Sequence, residues 1–439
     1  MKRLSGPIDV QLELTEKCNF KCRHCYNYWR YGEKSREREL STAHFLRIIR
    51  TLKNYGVSVI TLTGGEPLLR TDVLFALLKE AKRCGMEVGL NSNATLITQD
   101  IAKHLRNEGL DHALCSVLGK ETTHNFITGA SNGFSQTTRG IENLVKTGLV
   151  VATNMVVSKL NRNEVFGVGR IAKDLGVKTF CATPMVPSHE SNRSCILSGS
   201  ECKQALRDLL EVKKIFGINV DTLEPIARCL FDEAEEDDFI FFFGNRICSA
   251  AVTSCAISSS GMVRPCIHSD KSFGNILRED FSSIWAKMTP WSEESMLPIE
   301  CANCTATSIC EGGCRMSSKT LHGCYDGKDM YMSEPIHEKT RVAKLPVRKK
   351  QDTKITLGEK VKINPLVRSR EESFGGIVYI GTNVEFLTQA GLRVIQLMVR
   401  KEVFSLAEIA VEVSLTDGDI LEIALKLLDN NIILTKERR

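Results

Sequence analysis

Hydrophobic and polar residues alternate along the first part of the chain in a pattern that predicts strands and helices in regular succession. Six segments predict strands: Ile8–Leu14, Val57–Leu62, Met86–Asn91, His112–Val117, Val150–Val157 and Val177–Ala182. Helical spacing of apolar residues predicts five helices between them: Ser41–Tyr55, Thr71–Cys84, Thr98–Glu108, Phe134–Thr147 and Glu164–Leu175. We therefore expect an α/β fold, a partial (β/α)6 barrel with parallel strands and right-handed crossovers. Ligands of such a sheet bind at the carboxyl ends of its strands.

Three cysteines follow directly after the first predicted strand. Cys18, Cys22 and Cys25 place three thiolates on one short loop, which leaves one iron of a [4Fe–4S] cluster without a protein ligand. An open iron can bind the amino acid end of S-adenosylmethionine (SAM) and pass it an electron. A zinc site or a structural cluster is the alternative, although zinc sites more often use paired C-x2-C units.

A second motif, Gly64-Gly65-Glu66-Pro67, ends the second predicted strand. Its glycines let the backbone approach a ligand closely, and Glu66 can accept a hydrogen bond from an ammonium group. Together, and in this order, the cysteine loop and this motif resemble the radical SAM superfamily. The resemblance implies that Cys18, Cys22 and Cys25 hold the catalytic cluster and that Gly64 to Pro67 bind the methionine amino group of SAM.

The same resemblance implies further SAM contacts at the other strand ends. Asn93, Ser116 and Asn154 correspond to residues that bind the ribose and carboxylate of SAM, and Arg139 to an arginine on the methionine carboxylate. Leu118 stands where the family usually has an aspartate, so the role of that aspartate cannot be transferred. No His, Tyr or Lys is marked by the sequence as a general base.

A second group of cysteines lies after residue 245. Their order resembles the seven-cysteine SPASM domain, which implies two auxiliary [4Fe–4S] clusters and therefore three clusters in all, with SAM as co-substrate. By this resemblance one auxiliary cluster is held by Cys301, Cys304, Cys310 and Cys324, and the other by Cys248, Cys266 and Cys314. Cys255 or Cys229 could complete the second set, or one iron could stay open. A disulfide-rich or zinc-ribbon module is the alternative.

The composition agrees with a protein that binds metal and does not cross a membrane. The chain has 439 residues, 17 cysteines and a net charge of +5, and no apolar run approaches the ~18 residues of a membrane span. We therefore expect a cytoplasmic protein whose cysteines bind metal rather than form disulfides. Eight Lys or Arg against three acids between residues 336 and 360 predict a basic linker. Aromatic residues do not interleave with it, which argues against nucleic acid.

The last eighty residues predict a separate small unit. The segments 362–370 and 376–380 predict a hairpin, and helices follow at 390–398, 405–410 and 417–430. This order resembles the PqqD-like domain, a winged helix-turn-helix that binds a leader peptide as an added strand. A DNA-binding winged helix is the alternative. Its recognition helix would carry four acids against the single Lys426, and phosphate would repel it.

These resemblances predict a barrel over residues 1–228, a SPASM domain over 229–335, a basic linker over 336–358 and a PqqD-like domain over 359–439. They imply a maturase that takes hydrogen from a precursor peptide with a leader and forms a thioether or carbon–carbon cross-link. Flavodoxin or ferredoxin would supply electrons. One alternative is oxidation of Ser or Cys in a target protein, as in sulfatase maturases, although Ile267, followed by His268, replaces their aspartate. The other is a small-molecule enzyme acting on a tetrapyrrole.

Overall fold

The computed structural model describes residues 3–27, 29, 38–232, 235–243, 248–293, 296–333 and 355–435. The chain forms two compact units, Met1–Pro346 and Val347–Arg439, and each is described by itself. Most of the predicted basic linker, residues 336–354, lies outside the described residues. Within the described part of the chain, we find no helix with both the length and the apolar character needed to cross a membrane.

Seven parallel strands form the core of the first unit. They are β1 (Asp9–Glu13), β2 (Val59–Thr63), β3 (Glu87–Ser92), β4 (His112–Ser116), β5 (Val150–Val157), β6 (Thr179–Pro184) and β7 (Asn219–Asp221). The six predicted strands are thus confirmed to within two residues at each end. β7 was not predicted, because three residues are too few to show an alternating pattern.

Helices connect these strands and cover the outer face of the sheet. They are α1 (Thr42–Asn54), α2 (Thr71–Arg83), α3 (Gln99–Asn107), α4 (Glu121–Thr128), α5 (Gly133–Lys146), α6 (Val165–Asp174) and α7 (Gly199–Phe216). Ser41 caps α1 by accepting from the backbone N–H of His44. The five predicted helices are confirmed, while α4 and α7 are additional.

The cysteine-rich segment extends the barrel sheet on the side of β1. After α8 (Glu236–Phe243), β8 (Ser254–Ile257) pairs in parallel with β1, and β9 (Met262–Arg264) and β10 (Gly274–Asn275) continue antiparallel. Three helices complete it: α9 (Phe281–Lys287), α10 (Thr307–Cys310) and α11 (Arg315–His322). The ten-stranded sheet therefore runs β10-β9-β8-β1-β2-β3-β4-β5-β6-β7.

A buried ion pair joins this extension to the barrel. Arg264 at the end of β9 and Glu13 at the end of β1 are 0% and 1% exposed and form a salt bridge. The Arg264 guanidinium also donates to the carbonyl of Ser269 at 2.7 Å and to that of Ile267 at 3.3 Å. Arg264 thus fixes the loop after β9, which carries Cys266 and His268, against the barrel strand that leads into the first cysteine loop.

The second unit contains two small sheets and three helices. Its elements are β11 (Lys360–Ile363), β12 (Arg368–Glu372), β13 (Gly375–Ile380), β14 (Asn383–Leu387), α12 (Gln389–Lys401), β15 (Val403–Ser405), α13 (Leu406–Val413), α14 (Asp417–Asp429) and β16 (Ile433–Leu434). The sheets are β12-β13-β14 and β15-β11-β16. The predicted hairpin is therefore only partly right. Residues 368–372 pair with β13, but residues 360–363 belong to the other sheet, because β11 pairs with β15 and β16.

The polar face of β1 contains a carboxyl with a strongly shifted pKa. Val10 and Leu12 are fully buried, so the alternating residues Asp9, Gln11 and Glu13 lie on the other face of the sheet. The Oδ1 atom of Asp9 has no hydrogen-bond partner among the described residues. Burial raises the pKa of Asp9 to about 7, although His112 opposes the shift. Asp9 therefore favours the folded state when it is neutral and disfavours it when it is ionised.

Replacing Asp9 with asparagine should stabilise the folded protein at alkaline pH. The raised pKa means that the folded chain holds the proton more tightly than the unfolded chain, so wild-type stability falls as pH rises from 5 through 7. Since one pKa unit corresponds to about 1.36 kcal/mol, the gain in unfolding free energy for Asp9→Asn should be about 2–3 kcal/mol larger at pH 8 than at pH 5. Urea unfolding of the cluster-free protein at both pH values measures it.

Asp100→Asn provides the control, because Asp100 is exposed on α3. It should change stability equally at the two pH values. A gain for Asp9→Asn that is the same at pH 5 and pH 8 would contradict the assigned pKa.

Candidate active site

A cavity of about 210 Å³ opens where the parallel strands of the barrel end. Most of the predicted site residues line it, namely Cys18, Cys22, Cys25, Gly64, Gly65, Asn93, Ser116 and Asn154. Leu118, in the position where the family usually has an aspartate, is buried and lines it too. The fold therefore brings together, at one edge of the sheet, side chains that the sequence separates by more than a hundred residues.

The cysteine loop is held in place by α4. The backbone N–H groups of Lys21 and Arg23 donate to the carbonyls of Thr128 and Ile127, both at 2.9 Å. The Arg23 guanidinium lies 4.2 Å from the centre of the Phe126 ring. These contacts use carbonyls in the last turn of the helix, which have no partner within the helix itself. They fix the loop backbone while its three thiols line the cavity.

The two glycines of the second motif pack against the backbone just before the cysteine loop. The Gly65 N–H donates to the carbonyl of Thr15 at 2.7 Å, and the Glu66 N–H donates to that of Lys17 at 2.8 Å. Gly64 has φ +133°, and a Cβ atom on Gly65 would lie only 2.0 Å from the Lys17 carbonyl oxygen. Only glycine fits here, so the position of the loop depends on this contact.

Glu66 is buried inside the protein and does not itself line the cavity. Its carboxylate accepts hydrogen bonds from the Ser92 hydroxyl at 2.8 Å and from the backbone N–H groups of Asn93 at 2.9 Å and Leu68 at 3.1 Å. Burial raises the pKa of Glu66 to about 7, and these hydrogen bonds oppose the shift. In this structure Glu66 positions the residues after β3, while the backbone of Gly64 and Gly65 faces the cavity.

The remaining predicted residues differ in their placement. The Asn93 side chain lines the cavity and donates to the Asn19 side chain at 2.7 Å, and Asn154 accepts from the Thr183 hydroxyl at 2.8 Å. Pro67 is buried at the start of a short 3-10 helix. Arg139, by contrast, is exposed on α5 and does not line the cavity. The structure therefore does not bring Arg139 to the other predicted SAM contacts.

Three further residues of the cavity wall were not assigned a role from sequence. His268 stacks on Tyr26 with ring centres 4.7 Å apart, and its Nε2 atom lies 3.3 Å from a carboxylate oxygen of Glu224. The His268 Nδ1 atom is buried without a hydrogen-bond partner among the described residues. Burial raises the pKa of Tyr26 above its usual range. No sequence signal marks Glu224, because it lies in the irregular segment after β7.

Cysteine thiols gather in two further groups. The first group, Cys229, Cys301, Cys304 and Cys310, lines a second, smaller cavity. The pKa of Cys301 is raised to about 12, mainly because the thiol is buried and to a smaller extent because other thiols lie close to it. Soft thiolates are the ligands that iron–sulfur clusters use, so this donor set fits such a group. Because thiolate ligands must be deprotonated, binding a cluster here releases protons.

The second group consists of Cys248, Cys266 and Cys314. Burial is the main reason why their pKa values are raised, and the groups also affect one another electrostatically. Glu224 lies close enough to contribute to the pKa of all three thiols. Since Glu224 also lines the main cavity, this second group lies near the wall of that cavity.

The two expected fourth ligands for the second group are placed elsewhere. Cys255 lies in β8, paired with Val10, and Asp9 contributes to its raised pKa. Cys229 lies with the first group, and Cys324, which was predicted there, is exposed and does not line that cavity. In the described part of the chain, no group of three or more His, Cys, Asp or Glu is arranged to hold a single metal ion.

Comparison with known families agrees with this geometry. Residues 12–168 match the radical SAM superfamily, and residues 248–314 match the SPASM iron–sulfur cluster-binding domain. The chain contains a radical SAM domain and a SPASM domain. The two matches include both motifs at the rim of the barrel and six of the seven cysteines attributed to the SPASM pattern.

Individual relatives of this radical SAM/SPASM chain differ in function. An AdoMet-dependent heme synthase from Oleidesulfovibrio alaskensis is 27% identical over 72% of this chain and 84% of its own length. The crystal structure of Streptococcus suis SuiB bound to its precursor peptide SuiA has a TM-score of 0.61 and 17% identity, covering 75% of this chain and 76% of SuiB. Native anSMEcpe with bound AdoMet has a TM-score of 0.59 and 19% identity, covering 74% and 94%. These structural similarities concern the fold.

Replacing Gly65 with alanine should disturb both folding and cluster binding. The added Cβ would lie 2.0 Å from the Lys17 carbonyl oxygen, and overpacking of this kind costs about 1–3 kcal/mol. We expect Gly65→Ala to lower the Tm by several degrees and to reduce the iron bound after anaerobic reconstitution, because the cysteine loop must move. Thermal unfolding and iron analysis measure the two effects.

Gly358→Ala is the matched control, since a Cβ there meets no atom within 4 Å. It should leave both quantities unchanged. A Gly65→Ala protein with wild-type Tm and iron content would show that the motif and the cysteine loop do not pack as described.

Proposed function

We propose that this radical SAM/SPASM protein is a maturase that removes hydrogen from a ribosomally synthesised precursor peptide. The product would be an oxidative cross-link, a thioether or a carbon–carbon bond. Bound SAM, when reduced by the first cluster, would supply a carbon-centred radical for hydrogen abstraction. The observation that carries the peptide assignment is the open strand edge and cleft of the second unit, described below.

The residues of the main cavity would bind and orient SAM and exclude water. Cys18, Cys22 and Cys25 would hold the first cluster, and the backbone of Gly64 and Gly65 would lie along the ligand, where a side chain would obstruct it. Asn93, Ser116 and Asn154 offer hydrogen-bonding groups on the same wall. Apolar residues form much of the remaining surface: Leu114, Leu118, Val156, Pro184, Met185 and Val186. Such a lining holds reactants in position and keeps water out.

The charges around this cavity favour a peptide over a polycarboxylate substrate. There is no Lys or Arg among the described residues that line the cavity. Glu224 and His268 are ionisable residues of the lining that lie outside the cysteine motif. A tetrapyrrole carries several carboxylates, which proteins usually bind with arginine or lysine. A peptide backbone is neutral and needs no such cations.

The second unit offers an edge and a cleft suited to an extended peptide. In the sheet β12-β13-β14, β14 pairs with β13 and has no second partner strand among the described residues. Beside it lies a cleft of about 920 Å³ bounded by β14, α12 and α14, with apolar Leu387, Val394, Ile423 and Leu427 in its lining. A peptide that adds a strand to a sheet edge gains backbone hydrogen bonds, and its alternate side chains enter the adjoining cleft.

A second candidate function is tetrapyrrole oxidation. The observation in its favour is the 27% identity to the AdoMet-dependent heme synthase over 84% of that protein. That match covers 72% of this chain. SuiB, whose structure contains a precursor peptide, is similar in fold over 75% of this chain, and the cavity charges and the open strand edge of the second unit favour the peptide.

Mass spectrometry of a co-expressed peptide should distinguish the two candidates. We expect a precursor peptide encoded beside the gene to lose mass equal to two hydrogen atoms when produced anaerobically with the wild-type protein. Cys22→Ala should abolish the change, because the first cluster then lacks a ligand. Cys195→Ala should retain it, since Cys195 lies in neither cavity and in neither thiol group.

An unchanged peptide together with SAM cleavage would refute the peptide assignment. The same protein should then be supplied with an iron-containing tetrapyrrole, and a change in its mass that requires SAM and the intact first cluster would establish the second candidate.

Leader binding should depend on the cleft of the second unit. Ile423 on α14 lines this cleft, whereas Leu425 on the same helix is 39% exposed and does not. Since burying an isoleucine contributes roughly 1.5–3 kcal/mol, we expect Ile423→Glu to raise the Kd for a fluorescent leader peptide at least about tenfold. Leu425→Glu should leave the Kd unchanged. Equal Kd values for the two variants would exclude the cleft as the leader site.

A further inference from the structure

The cavity between the end of the barrel and the cysteine-rich segment is lined by four cysteines. Cys301, Cys304 and Cys310 come from the C-x2-C-x5-C run, and Cys229 comes from the chain that follows the last barrel strand. The other lining residues are small or apolar except for Arg228 and Thr307. A [4Fe–4S] cluster requires four ligands, one thiolate for each iron, and this cavity is lined by four thiols.

A short 3-10 turn, Arg228–Leu230, holds Cys229 at this cavity. The turn is anchored on both sides, because Ala227 is fully buried and Leu230 is 8% exposed. The Ser333 hydroxyl donates a hydrogen bond to the backbone carbonyl of Cys229. This hydrogen bond joins the turn, which precedes the cysteine-rich segment, to Ser333, which follows it. The position of Cys229 therefore depends on both ends of that segment.

The turn also contacts a neighbouring thiol directly. The backbone N–H of Arg228 donates to the sulfur of Cys310 at 3.3 Å. Amide N–H groups that point at cluster sulfurs are a common means by which proteins adjust the reduction potential of such clusters. The geometry therefore supplies at one place both a fourth thiol and a hydrogen bond to another ligand.

The three remaining thiols are arranged by a tight loop of their own. The Cys304 N–H donates to the carbonyl of Cys301 at 3.1 Å, and the Thr307 hydroxyl donates to the same carbonyl at 2.9 Å. The Cys310 N–H donates to the carbonyl of Ala306 at 3.0 Å. These backbone contacts leave the sulfur atoms of the loop facing the cavity that Cys229 closes.

Cys324, the ligand expected from the family pattern, is placed differently. It is exposed, and it follows α11 rather than lining the cavity. Its carbonyl accepts from the Ser318 hydroxyl at 2.8 Å, and the Lys319 ammonium donates to the carbonyl of the preceding Gly323 at 2.8 Å. These contacts hold its backbone in the turn after α11.

We infer that Cys229 replaces Cys324 as the fourth ligand of the auxiliary iron–sulfur cluster bound by Cys301, Cys304 and Cys310. The ligand set of this chain then begins directly after the barrel, nineteen residues before the first cysteine of the SPASM pattern, Cys248. This inference concerns the cluster alone and does not depend on the substrate.

Iron analysis of single-cysteine variants of the full-length protein tests the inference. After anaerobic reconstitution, Cys229→Ala should bind about four fewer iron atoms than the wild type, because one cluster is lost. Alternatively, that cluster should keep three of its four iron atoms and show the EPR signal of a three-iron cluster. Cys324→Ala and the control Cys195→Ala should keep the wild-type iron content and EPR spectrum. Loss of iron from Cys324→Ala, with or without loss from Cys229→Ala, would overturn the inference, as would wild-type iron in Cys229→Ala.

A second pair of variants covers the case in which Cys229→Ala does not fold. Cys229→Asp keeps a ligand of similar size but replaces sulfur with oxygen, so it should change the EPR spectrum and shift the midpoint potential of one cluster. Cys324→Asp should change neither. A spectral shift confined to Cys324→Asp would assign the ligand to Cys324 and refute the proposal.

Discussion

The contact between the two cofactor motifs is a backbone contact that only glycine permits. Gly64 and Gly65 lie against the carbonyls of Thr15 and Lys17, with hydrogen bonds from Gly65 and Glu66 across the same junction. Because β1 and β2 are neighbouring parallel strands, this junction joins two adjacent strand ends. The cysteine loop leaves directly from it, so an error of an ångström here would move the three thiols relative to the rest of the cavity.

The rim continues from this junction through a chain of short contacts. Glu66 accepts from Ser92 and Asn93, which fixes the chain after β3. The carbonyl of Asn93 in turn accepts from the Thr137 hydroxyl at 2.8 Å, and a Cβ on Gly140 of α5 would lie only 1.9 Å from the carbonyl oxygen of Ala94. The ends of β1, β2 and β3 are therefore positioned by one another, and the buried carboxyl group of Glu66 lies at the centre of this arrangement.

Local patterns in the sequence were sufficient for six of the seven parallel strands and for five helices. The strands either alternate, as β5 does, or are short apolar runs buried on both faces, as in β6, and helices such as α1 bury one face. The additional helix α7 also had a local signal, since Ser198 and Glu201 form a capping box at its start. β7 and the hairpin β8–β9 had no such signal, because strands of three or four residues acquire their pairing only from the folded sheet.

The cofactor motifs were predictable because their chemistry fixes residue type and spacing. Of the residues that only the resemblance implied, Asn93, Ser116 and Asn154 line the cavity, whereas Arg139 is exposed on α5. Contacts between distant segments could not be predicted: the stacking of His268 on Tyr26 and the placement of Cys229 beside Cys301 depend on how two parts of the chain meet. Spacing within a cysteine run describes one loop, whereas a ligand set is a property of the tertiary structure.

The buried pair Arg264–Glu13 has a consequence for how the first unit evolves and folds. A charge left without its partner in a site that is 0–1% exposed destabilises a protein by about 3–5 kcal/mol, a large part of the stability of a typical domain. Glu13 belongs to the barrel and Arg264 to the segment that follows it, so replacing either residue alone leaves the other buried without its partner. The radical SAM and SPASM domains of this chain should therefore unfold as one cooperative unit, and substitutions at these two positions would be tolerated only if both residues changed together.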